Sequence, residues 1–82
     1  MIKITEVKYI SNYKLEIKFN SGEIKMVDLA NDLTGEIFEP LRNIDYFKAV
    51  KVSPDIDTIY WDNGADFAPE FLYQIGILRK AA

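Results

Sequence analysis

Ile59-Tyr60-Trp61-Asp62-Asn63-Gly64-Ala65-Asp66-Phe67-Ala68-Pro69-Glu70 is the stretch on which the reading of this chain turns. Residues 58–61 are β-branched and aromatic and read as a strand. Asn63-Gly64 follows as a turn, because glycine accepts the positive φ that tight turns require. Pro69 suits the first position of a helix, where its missing N–H is no loss, and it pushes Ala68 towards extended geometry. A strand end, a turn and a helix start therefore lie within one short segment around the only tryptophan.

Downstream, Phe71, Leu72 and Ile75 give residues 69–75 an apolar helical stripe, and Glu70 near the start complements the helix dipole. Gly76 closes this helix, and residues 77–82 are expected to fray. Upstream, residues 2–10 are rich in β-branched side chains and read as a first strand, with Ser11-Asn12 as the turn after it. Tyr13, Leu15, Ile17 and Phe19 alternate with Lys14, Glu16, Lys18 and Asn20, the pattern of an antiparallel strand wet on one face. Asn20-Ser21-Gly22 signals a hairpin into residues 23–28, where Ile24 and Met26 are expected to point the same way as Phe19. Residues 29–35 change period, with Leu29 and Leu33 four apart, and read as a helical turn ended by Gly35. Pro40 opens a short helix over residues 40–44, ended by Asn43-Ile44-Asp45. Residues 47–53 form the fourth strand, stopped by Pro54. With residues 58–61 they make a second hairpin. The expected fold is α+β, a single domain over residues 1–82: a mainly antiparallel sheet of about five strands in the order β-β-β-α-β-β-α, with the helices on one face.

A chain of 82 residues suffices for one domain, burying roughly 60–65% of its unfolded surface, and is short for a deep enzyme cleft. Cysteine and histidine are both absent. That removes disulfides, thiol nucleophiles, Cys-ligated zinc, the commonest general base and the commonest transition-metal ligand together. No cofactor motif occurs, since Gly22, Gly35, Gly64 and Gly76 are isolated and lack phosphate-binding spacing. The net charge of −3 is far from the basic footprint of a nucleic-acid binder. Residues 1–6 are no signal peptide, and no apolar run approaches the ~20 residues that span a bilayer. A cytoplasmic protein, not an enzyme and not membrane-bound, is the expectation.

Three carboxylates, Asp62, Asp66 and Glu70, flank the Asn63-Gly64 turn. They can be read as a small-ligand or divalent-cation site, although the alternate-position spacing of a calcium loop is missing. They can equally be turn and helix-start residues that hydrogen-bond nearby backbone. Tyr60 and Trp61 point to opposite faces of their strand, so one enters the core. An outer face gathering Tyr60, Tyr73 and part of Phe67 would be an aromatic interaction surface, whereas a small domain can also absorb these rings into its core. Lys14, Lys18, Lys25, Lys48 and Lys51 fall mostly on polar strand faces. A nucleic-acid platform would need stacking aromatics among them, and alternation puts the aromatics on the other side. A solvated face that guards sheet edges is the plainer reading.

The order of these pieces resembles a small bacterial family, domain of unknown function 2442 (DUF2442). The similarity runs through Tyr13-Lys14-Leu15-Glu16-Ile17-Lys18-Phe19 to Ser21-Gly22, then Val27-Asp28-Leu29, and then Phe38-Glu39-Pro40-Leu41 with Phe47 and Val50. It ends in the Trp61, Asn63-Gly64, Ala65-Asp66, Pro69-Glu70, Leu72-Tyr73 series. Ser21 stands where an acid commonly precedes the glycine, and Asp62 where proline is frequent. The resemblance implies no established activity and no catalytic residues. Relatives are often encoded beside another small protein, and some carry a helix-turn-helix domain, which implies a regulatory, antitoxin-like interaction module with a protein partner encoded nearby. The residues that would form its surface are Tyr60, Trp61, Asp62, Asp66, Glu70 and Tyr73. A nucleic-acid-associated regulator is the further alternative, although this sequence has no helix-turn-helix extension.

Overall fold

The register of the first hairpins decides which side chains face the core. The computed structural model describes residues 1–79. Along them run β1 (Ile4–Ser11), β2 (Lys14–Phe19), β3 (Ile24–Asp28), α1 (Ile44–Phe47), β4 (Lys51–Ser53), β5 (Thr58–Tyr60), α2 (Pro69–Ile75) and β6 (Ile77–Leu78). β1, β2, β3 and β6 make one antiparallel sheet in that spatial order, and β4 and β5 make a separate hairpin. The α+β class is as the sequence implies, with the strands divided between two sheets. β1 carries register shifts at Thr5 and Ile10, and a bulged edge twists away from further pairing. The second hairpin is instead tied to β1 by the Ile4 N–H, which donates to the Asp57 carbonyl at 2.9 Å.

Ile24 and Met26 do not share a face with Phe19. The Phe19 N–H donates to the Glu23 carbonyl at 2.9 Å, which closes a loop over residues 20–22 and sets Glu23 opposite Phe19. Ile24 then pairs with Lys18, Lys25 with Ile17, Met26 with Glu16 and Val27 with Leu15. Side chains alternate with period two, so loop length sets which set faces inward. Lys25 and Val27 take the core face, and Ile24 and Met26 the outer one.

On the core face lie Ile4, Leu15, Ile17, Phe19 and Val27, all buried together with Leu29, Leu33, Leu41, Phe47, Ile59, Trp61, Ala65, Phe67 and Leu72. Trp61 is 1% exposed and packs between the rings of Phe47 and Phe67, with centroids at 5.7 and 6.0 Å. Its indole Nε1–H donates to the Phe47 carbonyl at 2.8 Å. The polar edge of the largest core residue is thus satisfied inside, as a buried donor must be.

Three further expectations are corrected. Residues 29–35 form turns and not a helical turn: Asp28 Oδ1 accepts from Ala30 N–H at 3.0 Å, a side chain competing with helical bonding. Leu29 and Leu33 are buried even so. The short helix over 40–44 is a 3₁₀ turn, Glu39–Arg42, and Phe47 belongs to α1, so the fourth strand begins only at Lys51. Asn43, expected to end that helix, accepts from Tyr46 N–H through its side chain and caps the start of α1, a position asparagine favours equally. Ile77 and Leu78, expected to fray, pair with Met26 and Lys25 of β3. Residues 80–82 of that expected tail lie outside the described residues. No helix among the described residues is long and apolar enough to cross a membrane.

Trp61→Phe removes the indole donor to the Phe47 carbonyl, which keeps the Val50 N–H at 3.3 Å, and leaves a void. The expected cost is ~0.5–1.5 kcal/mol for the lost hydrogen bond, before the void adds to it. Urea denaturation of the two proteins measures it, and equal midpoints would show that the indole bond does not contribute.

Candidate functional site

The residues singled out in the sequence do not converge. Trp61 is core, and Phe67 is 9% exposed, stacked against Phe38 and Phe71. Tyr60 is half-buried in β5 opposite Lys51, and its backbone bridges to Asp66. Asp62 is exposed and pairs with Lys51 at 3.1 Å, whose ammonium is pushed above its usual value by that bond. Asp66 and Glu70 are exposed. Asp66 does not cap α2, whose N-cap Ala68 makes no side-chain bond. Among the described residues no three acids gather as a metal ion would need. The cation reading of Asp62, Asp66 and Glu70 therefore lacks its coordination set.

Asn63, between the acids, does the local work. Its Oδ1 accepts from Ala65 N–H at 3.0 Å and its Nδ2 donates to the Ile37 carbonyl at 2.9 Å. Gly64 turns the chain at φ +91°, and Trp61 N–H donates to the Ala65 carbonyl at 2.9 Å. This turn is scaffold, binding the 35–38 segment to the start of α2.

Tyr73 belongs to a different place. The hairpin register puts Glu23 and Lys25 on the sheet face beneath α2, and Tyr73 meets both. Its hydroxyl donates to Glu23 Oε1 at 2.8 Å, and its ring lies edge-on to Phe19 at 5.1 Å. Lys25 Nζ sits 3.5 Å from the ring centroid and donates to the Tyr73 carbonyl at 2.8 Å. That carbonyl is in the last turn of α2, where helical partners run out and the dipole favours a cation. The lysine stem runs past Gly76, where an added Cβ would come within 2.9 Å of Lys25 Cβ and 3.0 Å of the Leu72 carbonyl.

Beside this clamp is a half-open hollow of about 270 Å³ lined by Met1, Ile2, Phe19, Asn20, Ser21, Glu23 and Tyr73. Ser21 Oγ donates to the same Glu23 oxygen at 2.9 Å. The Tyr73 bond first, and the Ser21 bond second, hold the Glu23 carboxyl below the usual carboxylate range. The Glu23 bond, then desolvation, push the Tyr73 phenol above its ordinary value. Both groups move away from neutrality, opposite to what acid–base catalysis at neutral pH requires. The arrangement suits holding a charge, not moving a proton. The sequence reading left out Glu23, gave Ser21 only a turn role and put Lys25 on the solvated face, whereas Lys25 lies beneath α2; only the length of the 20–22 loop carried the signal. A wider groove of about 610 Å³ lies between α1 and Asp62, and its acids Asp45 and Asp62 are already paired with Lys48 and Lys51.

Gly76→Ala forces Lys25 off its carbonyl, since its φ of −68° permits alanine and only contact forbids it. A loss of ~1–3 kcal/mol is expected, with Tm falling by about 4–8 °C for each 1 kcal/mol; an unchanged Tm would mean the stem yields freely. Tyr73→Phe is read by pH. Glu23 titrates lower in the folded than in the unfolded chain, so its contribution is full above the ordinary carboxylate range and lost as pH falls through the depressed value. Tyr73 titrates higher, so its contribution is full below the ordinary phenol range and lost as pH rises through the raised value. Thermal melts from about pH 3 to pH 11 should show both limbs shallower in Tyr73→Phe; superimposable profiles refute the clamp.

A family model described as a protein of unknown function, DUF2442, matches residues 4–77. No curated protein and no solved structure matches the chain. The matched span runs from the first residue of β1 to the first residue of β6, taking in the Trp61 turn and the Tyr73 clamp alike, and the chain belongs to this family of unknown function.

Proposed function

We propose that the protein is a non-enzymatic, cytoplasmic interaction module that acts by docking a protein partner encoded nearby, in a regulatory, antitoxin-like role. The observation that supports this reading is the outer face of the four-stranded sheet. Every buried side chain of β1, β2 and β3 lies on the opposite face. The outer face carries Ile24 and Met26, with Ile77 beside Met26 and 74% exposed. Around this aliphatic strip run ion pairs, Glu6 with Lys18 at 3.3 Å and Glu16 with Arg79 at 3.0 Å. An apolar centre with a charged rim is the anatomy of a protein interface. The two edges differ in the same direction: β1 is bulged and carries Glu6 and Lys8, whereas β6 presents Ile77 and Leu78 without a lysine or proline to block pairing. Of the five lysines weighed as a nucleic-acid platform, Lys18, Lys48 and Lys51 are paired with acids and Lys25 faces α2, which favours a protein partner over a nucleic acid.

Co-expression with the products of the adjacent genes, followed by size-exclusion chromatography, tests this. The native chain should co-elute with one of them, and the Met26→Glu, Ile77→Glu double variant should bind roughly tenfold more weakly or worse, ~1.4 kcal/mol, while keeping its circular dichroism. Elution alone beside every neighbour, or equal binding by the variant, contradicts the proposal.

A further inference from the structure

The hollow beside Glu23 is independent of the outer sheet face and has its own chemistry. Glu23 is half-buried, and both hydroxyl donors it receives, from Ser21 and Tyr73, go to Oε1. Among the described residues no ammonium or guanidinium lies within 4.0 Å of its carboxylate, although six other carboxylates, those of Glu6, Glu16, Glu39, Asp45, Asp57 and Asp62, have such a partner. Lys25 is on the same strand face, yet its ammonium is directed to the Tyr73 carbonyl and ring. Asn20 is likewise occupied, its Oδ1 by Lys3 N–H at 3.0 Å and its Nδ2 by the Met1 carbonyl at 2.9 Å. What faces the hollow is therefore a carboxylate whose Oε2 takes no hydrogen bond and which has no ion-pair partner within 4.0 Å among the described residues, Lys25 acting on it only from a distance, beside the hydrocarbon of Ile2.

We propose that this hollow is a binding site for an organic cation, an alkylammonium or alkylguanidinium group, whose charged head bonds Glu23 Oε2 and whose hydrocarbon body lies against Ile2 and Tyr73. Its size agrees. About 270 Å³ falls just below the range of pockets for drug-sized ligands, ~300–1,000 Å³, and matches one small amine or one basic side chain. An ionised acceptor strengthens the bond, and a partly desolvated one strengthens it further. The two hydroxyl donors keep Glu23 ionised and fixed in one rotamer, so little ordering is left for binding to impose. An anion is disfavoured by the same charge. The cation can come from a free amine or from a lysine or arginine side chain of another protein; the chemistry at Glu23 is shared.

Amide chemical shifts of the full chain, titrated with n-butylammonium, read this directly. The expected result is saturable movement at Ser21, Glu23 and Tyr73 in the millimolar range, with 1-butanol, the same body without the charge, roughly tenfold weaker or more. Glu23→Gln keeps an oxygen for Tyr73 and Ser21 and should lose the ammonium response by a similar factor. The butanol comparison is made on the native chain and so stands even if that variant does not fold. A short lysine-containing peptide that saturates at lower concentration than butylammonium assigns the site to a basic side chain, and the reverse order assigns it to a free amine. Non-saturating shifts spread over the surface carboxylates, or an equal response to butanol, overturn the proposal.

Discussion

The pairing of Phe19 with Glu23 is the constraint on which the rest of the structure depends. One backbone bond closes the loop over 20–22, and period-two alternation then assigns every side chain of β3 to a face. A loop one residue shorter or longer would send Lys25 to solvent and Met26 inward. In the observed register a lysine faces the core side of a small domain, which is tolerable only because its stem is covered and its charge is met. Gly76 provides room for the stem, and the last turn of α2 meets the charge. Register, helix end and glycine are three statements of one contact.

A second constraint acts at the opposite end of α2. Trp61 is buried with its indole bonded to Phe47, and the Asn63-Gly64 turn returns the chain so that Ala65 and Phe67 re-enter the core. Thr58, the one buried polar residue among the described residues, closes this loop by donating to the Phe67 carbonyl at 2.6 Å. Together the Trp61 turn and the Tyr73 clamp hold a helix of only seven residues, too short to be stable alone, against a sheet it must cover. Among the described residues no buried side-chain polar atom is left without a partner.

These two anchors also sort the polar groups by role. Asn63, Thr58 and the Trp61 indole bond inward and support the fold. Glu23 also supports the fold through one oxygen, and its other oxygen faces a hollow. The outer sheet face supports nothing inside the domain, and its aliphatic strip is what a partner would find. The two proposed binding surfaces therefore lie where core demands are already met by one atom of a group or one face of a strand.

By itself the sequence determined the α+β class, the α2 boundaries at Pro69 and Ile75, the burial of one of the Tyr60-Trp61 pair, and the family, because proline, glycine turns and alternating apolar residues act locally. Local signals misled where one residue serves two purposes. Asn43 ends one turn and caps the next, and Ile77-Leu78 resemble a loose tail until β3 offers them a ladder. Only the tertiary structure decided that Tyr73 meets Glu23 and Lys25, residues 50 and 48 positions away, and that Asp62, Asp66 and Glu70 do not come together. The physical reason is parity: neighbours in sequence are sent to opposite faces, while residues far apart meet because a hairpin loop and a helix end bring the same face together.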